Sequence, residues 1–343
     1  MTVRAIYSAV AIPESKPPYD RASLKVYYPA SYGDSAEERN SGVVPANAGM
    51  APFPVVIMLP GINVGPESYS WLAHELARHG IATVTYIFVA EEMPGYVSLT
   101  PGLSLTALSP SEYGSIPSAT AIRPILAELS TLNTSGVLAG HLDLEHIVLG
   151  GHSAGGTVAL LNARSDWFRG VCACFSYGAH AGAATALGHA EDAMFDLPSR
   201  HPTLIMGGTR DGCIANSSGR YGDTAASPTE RVERTFDDAL QCDREDSYLA
   251  IIDGANHFSM AWPEDHSTGR PFIDLPTTRE DTDLRQLLSS LIVQFSLWAT
   301  RGDESMREQL EDALLQPNPM IARGSRRCCL LYTSDAADEV VPV

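Results

Sequence analysis

Residues 147–156, with the sequence IVLGGHSAGG, constrain the fold more than any other part of this chain. A short apolar run leads into a Gly-x-Ser-x-Gly pattern, and the apolar stretch TVALL follows it. This arrangement is typical of a sharp turn from a strand into a helix, where neighbouring backbone comes too close to Gly151 and Gly155 for a Cβ atom. The segment therefore predicts a buried strand, a tight turn with Ser153 at its tip, and a helix.

Other apolar runs recur along the chain, and several are apolar on both faces, as buried parallel strands are. They lie at residues 24–28, 55–59, 82–86, 147–149, 171–175, 204–206 and 248–252. Stretches with helical spacing alternate with them, at residues 67–79, at 122–132 and, as the expected final long helix, at 283–300. The alternation predicts an α/β fold with a doubly wound, mostly parallel sheet and helices on both faces.

A chain of 343 residues with 44% hydrophobic content can form one large core, and no repeat or linker divides it. We therefore expect a single domain over residues 1–328. Residues 91–117 follow a strand end, where α/β sheets bind ligands, and are predicted to be a substrate-side flap, with a plain connector as the alternative. Residues 329–343 resemble the in-frame translation of a sequencing adapter, so we expect a non-native or disordered tail there.

The formal net charge of −18 argues against binding to nucleic acid or to an anionic membrane, because both require basic patches. It favours a neutral or cationic small molecule. No apolar run is long enough to span a bilayer, and the N-terminal residues do not form a signal peptide, which predicts a cytoplasmic protein. The six cysteines show no zinc-ribbon spacing, so neither a metal nor a cofactor is expected. The sequence leaves the oligomeric state open.

A serine at the tip of such a turn becomes a nucleophile when a histidine accepts its proton and an acid orients the histidine. The acid is expected after a later strand, and Asp211 follows the run at residues 204–206 through a glycine turn. Asp223 and Asp253 are the alternatives. Asp223 has no strand before it, and Asp253 is so close to His257 that it is more typical of a turn residue.

His257 is the predicted base, because it lies in the loop after the next strand, at residues 248–252. His152 lies inside the turn and is interpreted as a packing or orienting residue. The remaining competitors lie before the strand that leads to Asp211 or well beyond His257; they are His180, His189, His201 and His266.

Negative charge develops on the ester or amide oxygen during attack by a serine, so two backbone N–H groups must point toward it. Ala154, directly after the nucleophile, is expected to supply one. The second is assigned to Ile62, in the loop after the strand at residues 55–59, where Gly61 lets the backbone turn inward. In isolation, Pro60-Gly61 also fits an ordinary turn.

With these residues in place, residues 54–258 resemble α/β-hydrolases of the group that contains serine-type dienelactone-hydrolase relatives, chlorophyllases, platelet-activating-factor acetylhydrolases and cutinase-like polyesterases. The resemblance is carried by Asp211, His257 and the segments 58–61, 68–73, 79–84 and 151–156. It implies hydrolysis of a carboxylic ester through an acyl-enzyme without a cofactor. Ser153 is then the nucleophile, His257 the base and acid, Asp211 the orienting acid, and Ile62 and Ala154 the oxyanion donors.

The chain also departs from members of this group. Dienelactone hydrolases have a cysteine where this chain has Ser153, and polyester-degrading cutinases have an aromatic residue at the position of Ile62. Lipase, thioesterase and polyesterase activities on the same residues are alternatives, as is a non-catalytic binding protein with the same fold. Apolar residues near the predicted site are candidates for the pocket wall: Met93, Tyr96, Tyr177, Phe258 and Trp262.

Overall fold

Ten strands form one sheet in the computed structural model, which describes residues 2–93, 95–197, 200–222, 227–240 and 246–327, apart from the side chains of Glu92 and Met93. The strands are β1 (Thr2–Ala11), β2 (Arg21–Ala30), β3 (Phe53–Leu59), β4 (Ala82–Met93), β5 (Tyr96–Leu99), β6 (Leu142–His152), β7 (Val171–Tyr177), β8 (Thr203–Gly208), β9 (Ser247–Ile252) and β10 (Ile321–Arg326). Their order in the sheet is β1-β2-β4-β3-β6-β7-β8-β9-β10, with β5 paired to β4.

The six strands from β4 to β9 in this order are parallel, and the strands outside them pair antiparallel. All residues of β3, β8 and β9 are buried, as expected for central strands covered on both faces. Along β3 the side chains alternate between two cores, with Val55 and Ile57 in one and Val56 and Met58 in the other. The strand therefore contributes to two apolar layers.

Helices cover both faces of the sheet. They are α1 (Ala36–Ser41), α2 (Ser70–Arg78), α3 (Ile122–Leu132), α4 (Ala154–Asn162), α5 (Gly212–Ser217), α6 (Glu230–Arg234), α7 (Asp281–Arg301) and α8 (Glu304–Leu315). The apolar sides of α3 and α4 pack in the core with Val55, whereas α2, α7 and α8 pack in the core with Val56. This arrangement confirms the predicted fold class. Within the described ranges, no helix combines the length and the apolar character that crossing a membrane requires.

The strand order reverses beside β3. The chain leaves β3 to form β4 on one side and later places β6 on the other side. A crevice opens at such a reversal, at the carboxyl ends of the parallel strands. The loop after β3, which contains Gly61 and Ile62, and the turn after β6, which contains Ser153, therefore meet at the same edge of the sheet.

The predicted apolar runs all fall within strands, but four elements were not predicted: β1, β5, α8 and β10. β1 and β10 lie at the edges and are largely half-exposed, so they lack the apolar runs of the central strands. The helix predicted at residues 283–300 is α7, but it is not the final element, because α8 and β10 follow it. Residues 91–117 begin as a hairpin, since β4 extends to Met93 and pairs with β5. Residues 329–343, the predicted tail, lie outside the described residues.

Candidate active site

Ser153 occupies a strained turn between the end of β6 and the start of α4, with φ 55° and ψ −127°. Its N–H donates to the carbonyl oxygen of Tyr177, at 2.9 Å. A Cβ atom on Gly151 would collide with the carbonyl of Gly155, and one on Gly155 would collide with the carbonyl of Leu59. The two glycines thus permit close backbone packing that holds Ser153 in a conformation non-glycine residues rarely adopt. Its side chain lines a cavity at the sheet edge.

Asp211 and His257 meet in the interior beside this turn. Asp211 follows β8, is fully buried, and caps α5 by accepting a hydrogen bond from the N–H of Ile214, at 2.8 Å. His257 follows β9 and is 5% exposed. Its Nδ1 lies 3.0 and 2.9 Å from the two carboxylate oxygens of Asp211. Because a carboxylate accepts, the proton of the neutral imidazole lies on Nδ1, and Nε2 is left as the basic nitrogen.

The alternatives for the acid and the base lie elsewhere. Asp253 forms an exposed ion pair with Arg279, at 2.7 Å. His266 is largely exposed and lies 3.6 Å from Glu264. Asp223 is outside the described residues. Asp211 and His257 are therefore the predicted pair that the structure brings together.

A second buried acid, which the sequence did not suggest, connects the two loops. The Asp274 carboxylate accepts hydrogen bonds from the N–H of Gly212, at 2.7 Å, and from the N–H of Phe258, at 3.1 Å. These are the residues directly after Asp211 and His257. Burial, together with the nearby charge of Asp211, raises the pKa of Asp274 to about 6. No strand leads into Asp274, so the sequence carries no signal for it.

These charges act on His257. Burial by itself lowers the pKa of a histidine, but the charge and hydrogen bond of Asp211, with the charge of Asp274, outweigh it here. The pKa of His257 is therefore raised above its ordinary value. The site favours the imidazolium form, which a base acquires when it accepts a proton.

A hydrogen-bonded chain connects the loop after β3 to His257. The N–H of Gly61 donates to the Tyr69 hydroxyl, which lies 2.9 Å from Nδ1 of His152. Nε2 of His152 lies 3.0 Å from the carbonyl oxygen of His257. Because that carbonyl can only accept, Nε2 of His152 carries the proton and its Nδ1 accepts from Tyr69. Burial also lowers the pKa of His152 well below its ordinary value, which keeps it neutral. This geometry agrees with the orienting role interpreted for His152.

Two backbone N–H groups face the same cavity as Ser153. Ala154 is the first residue of α4, where the N–H has no helical acceptor. The N–H of Ile62 has no hydrogen-bond acceptor among the residues that the structure describes. Both residues line the cavity together with Ser153 and His257. The arrangement can therefore donate two hydrogen bonds to an oxygen bound beside Ser153.

The cavity has a volume of about 150 Å³. Of the predicted wall residues, Tyr96 and Phe258 line it, and the Tyr96 hydroxyl also accepts from the Asn63 side chain, at 3.1 Å. Tyr177 is buried away from the cavity, and its hydroxyl donates to the carbonyl of Asn256. Trp262 is 48% exposed and stacks against Arg285 outside the cavity. The side chain of Met93 lies outside the described part of the chain.

Asp211, Cys213 and His257 are the group in the described residues whose ligand atoms lie close enough to hold a metal ion, all within 4.8 Å of one another. Burial raises the pKa of the Cys213 thiol, so the thiolate that a metal needs is disfavoured. Nδ1 of His257 is already bonded to Asp211. These donors fit a proton-transfer pair better than a resident metal site.

The sequence was also compared with known proteins. A family model described as the Alpha/beta hydrolase family matches residues 56–340. This match includes β3 through β10 and every residue of the site. No curated protein matches the chain.

Proposed function

Because the chain belongs to the alpha/beta hydrolase family, we propose that it is a serine carboxylic-ester hydrolase that acts through an acyl-enzyme intermediate. The observation that carries the proposal is the buried contact between Nδ1 of His257 and the Asp211 carboxylate, beside the strained turn at Ser153. The free N–H groups of Ile62 and Ala154 support it, because both line the cavity that contains Ser153.

In the proposed reaction, Nε2 of His257 accepts the hydroxyl proton of Ser153 while Oγ attacks the ester carbonyl carbon. The N–H groups of Ile62 and Ala154 stabilise the negative carbonyl oxygen. When the tetrahedral intermediate collapses, the bond to the alcohol breaks and His257 gives its proton to the leaving oxygen. A water molecule then repeats these steps on the acyl-enzyme, releasing the acid and restoring Ser153.

The cavity favours a small ester. Its volume of about 150 Å³ is below the range of about 300–1,000 Å³ that is typical of sites for drug-sized ligands. We therefore place the protein with the serine-type relatives of dienelactone hydrolases rather than with lipases or polyesterases. Tyr96, on the hairpin at the start of residues 91–117, is the contact through which this segment acts as a substrate-side flap.

A series of p-nitrophenyl esters from acetate to decanoate tests this function. We expect hydrolysis of the short esters, with kcat/KM falling as the acyl chain lengthens. Ser153→Ala should lower kcat by about 10³-fold or more, since loss of a nucleophile removes the acyl-enzyme route. Ser130→Ala, an exposed serine on α3, is the matched control and should retain full activity. Hydrolysis that is unchanged in Ser153→Ala would overturn the proposal.

A further inference from the structure

The cavity that contains Ser153 has a cationic wall. Arg220 lies in the turn that follows α5, and Arg270 lies in the turn that follows β9 and His257. Both line the cavity with Ser153 and His257. Among the described lining residues there is no aspartate or glutamate, so these two arginines set the charge of the wall.

Neither guanidinium group has a protein partner. Both side chains are exposed, and within the described ranges neither makes an ion pair or a side-chain hydrogen bond. Other arginines in this acidic chain do pair; Arg164 lies 2.6 Å from Asp166, for example. The backbone of both residues is nevertheless anchored. The carbonyl of Arg220 accepts from Thr185, and that of Arg270 accepts from Cys213.

Tyr221 lies between these arginines and adds a hydrogen-bond donor to the wall. Burial raises the pKa of Tyr221, and the charges of Arg220, Arg231 and Arg270 each act to lower it, which places all three guanidinium groups near its ring. Arg231 stacks on that ring, with its guanidinium carbon 4.7 Å from the ring centre, and lies 3.5 Å from Asp192. The Tyr221 hydroxyl has no hydrogen-bond partner among the described residues.

We propose that Arg220, Tyr221 and Arg270 form a subsite for a carboxylate carried by the ester substrate. Two guanidinium forks and a phenol hydroxyl are donors that a planar carboxylate accepts well. The cavity must also hold the ester group, so its small volume favours a short molecule, such as a half-ester of a small dicarboxylic acid. This inference rests on the proposed esterase function and adds the chemical class of its substrate.

The subsite changes the expectation drawn from net charge. A total of −18 favoured a neutral or cationic ligand, but charges farther from the cavity than about 8 Å are largely screened at physiological salt. The nearest acids are Asp211, bonded to His257, and Asp274, bonded to backbone N–H groups. The unpaired arginines therefore dominate the field where the substrate binds.

Two matched pairs of esters test the subsite and show which side of the ester carries the carboxylate. The acyl arm compares methyl hydrogen glutarate with methyl pentanoate, and the alcohol arm compares 3-acetoxypropanoate with butyl acetate, with acid release followed by titration at constant pH. In one arm, we expect kcat/KM of the charged ester to exceed that of its neutral counterpart by about tenfold or more. Adding 0.5 M NaCl should reduce this ratio.

Arginine variants connect the preference to the wall. Arg220→Gln and Arg270→Gln should each lower the charged-to-neutral ratio of kcat/KM by about tenfold. Glutarate itself should inhibit the wild type competitively and inhibit Arg270→Gln more weakly. Arg21→Gln removes the same charge from an exposed residue at the start of β2 and should leave the ratio unchanged.

Two results would overturn the subsite: a preference for the neutral ester in both arms, or a ratio that the Arg220 and Arg270 variants leave at the wild-type value. Both can occur while neutral esters are still hydrolysed in a Ser153-dependent way, and the esterase proposal would then stand. If no ester of either kind is hydrolysed and Ser153 does not react with an active-site probe, both proposals fail together.

Discussion

His257 is held by a different neighbour at each of three positions. Asp211 bonds Nδ1 of its ring, His152 bonds its carbonyl oxygen, and Asp274 bonds the N–H of the next residue, Phe258. Hydrogen bonds to both the ring and the backbone fix the direction of Nε2, which in the proposed mechanism accepts the proton of Ser153. The precision of the site therefore depends on residues that do not touch the substrate.

The raised pKa of His257 predicts the pH dependence of hydrolysis. Protonated His257 cannot act as a base, so kcat/KM should fall as the pH falls through its pKa, and the midpoint should lie above the ordinary histidine value of 6.5. In Asp274→Asn a charge that raises this pKa is gone, so the acid limb should move to lower pH. Asp312→Asn, an exposed acid on α8, is the control and should leave the midpoint in place. A pH–rate profile measures both; an acid limb that does not move in Asp274→Asn would contradict the assigned effect of this residue.

Tyr69→Phe tests the hydrogen-bonded chain from the loop after β3. The variant leaves the N–H of Gly61 buried without its acceptor, which should cost about 1–3 kcal/mol of stability. The neighbouring oxyanion donor at Ile62 loses its support, so we expect kcat to fall by about tenfold with a smaller change in KM. The control is Tyr7→Phe, since Tyr7 is 74% exposed. Steady-state kinetics with wild-type values for Tyr69→Phe would show that the chain does not position the loop.

At the scale of elements, the turn between β6 and α4 depends on glycine. Gly155→Ala places a methyl group on the carbonyl of Leu59 in β3, so strand and helix must separate. We expect a loss of more than about 3 kcal/mol in the free energy of unfolding, or no folded protein, because overpacking against backbone cannot relax by a side-chain movement. The same substitution at Gly219, where a Cβ meets open space, should be close to neutral. Equal denaturation midpoints for the two variants would contradict the packing argument.

The elements that carry the site were predictable because each of its central residues directly follows a buried strand. Ser153 follows β6, Asp211 follows β8 and its glycine turn, and His257 follows β9. An apolar run before a glycine turn is visible in one sequence, and parallel strands bring such ends together.

Residues in irregular turns could not be predicted in this way. Asp274 and Arg270 come from the segment after His257, and Arg220 comes from a turn after α5, so only the tertiary fold brings them to the cavity. Proximity in sequence was equally uninformative about direction. Tyr177 and Trp262 are near the site in the chain, yet one is buried behind it and the other lies outside the cavity.

At the scale of the whole molecule, the C-terminal strand supports the strand that leads to His257. β10 pairs with β9, and the carbonyl of Met320 accepts from the N–H of Asp253 in the turn between β9 and His257. Arg323 on β10 also binds Glu233 and Asp237, at 2.6 and 2.9 Å. The edge strand thus connects β9 to α6 and the turn that follows α6.

Two shortened chains test this support. A chain that ends at residue 328 retains β10, and because residues 329–343 are proposed to be a non-native or disordered tail, its free energy of unfolding should equal that of the full chain. A chain that ends at residue 316 lacks β10 and should be destabilised by several kcal/mol, since it exposes the edge of β9 and apolar residues packed against it. The family match extends to residue 340, so a loss of stability in the longer chain would contradict the proposed tail.

Covalent labelling tests the central claim most directly. A fluorophosphonate reacts with a serine that has been activated by a neighbouring base, and peptide mass spectrometry identifies the labelled residue. The account predicts one label on Ser153, slower labelling in His257→Gln, and none in Ser153→Ala. Labelling of another serine, or no labelling of the folded protein at pH 8, would contradict the assignment of Ser153 as the nucleophile.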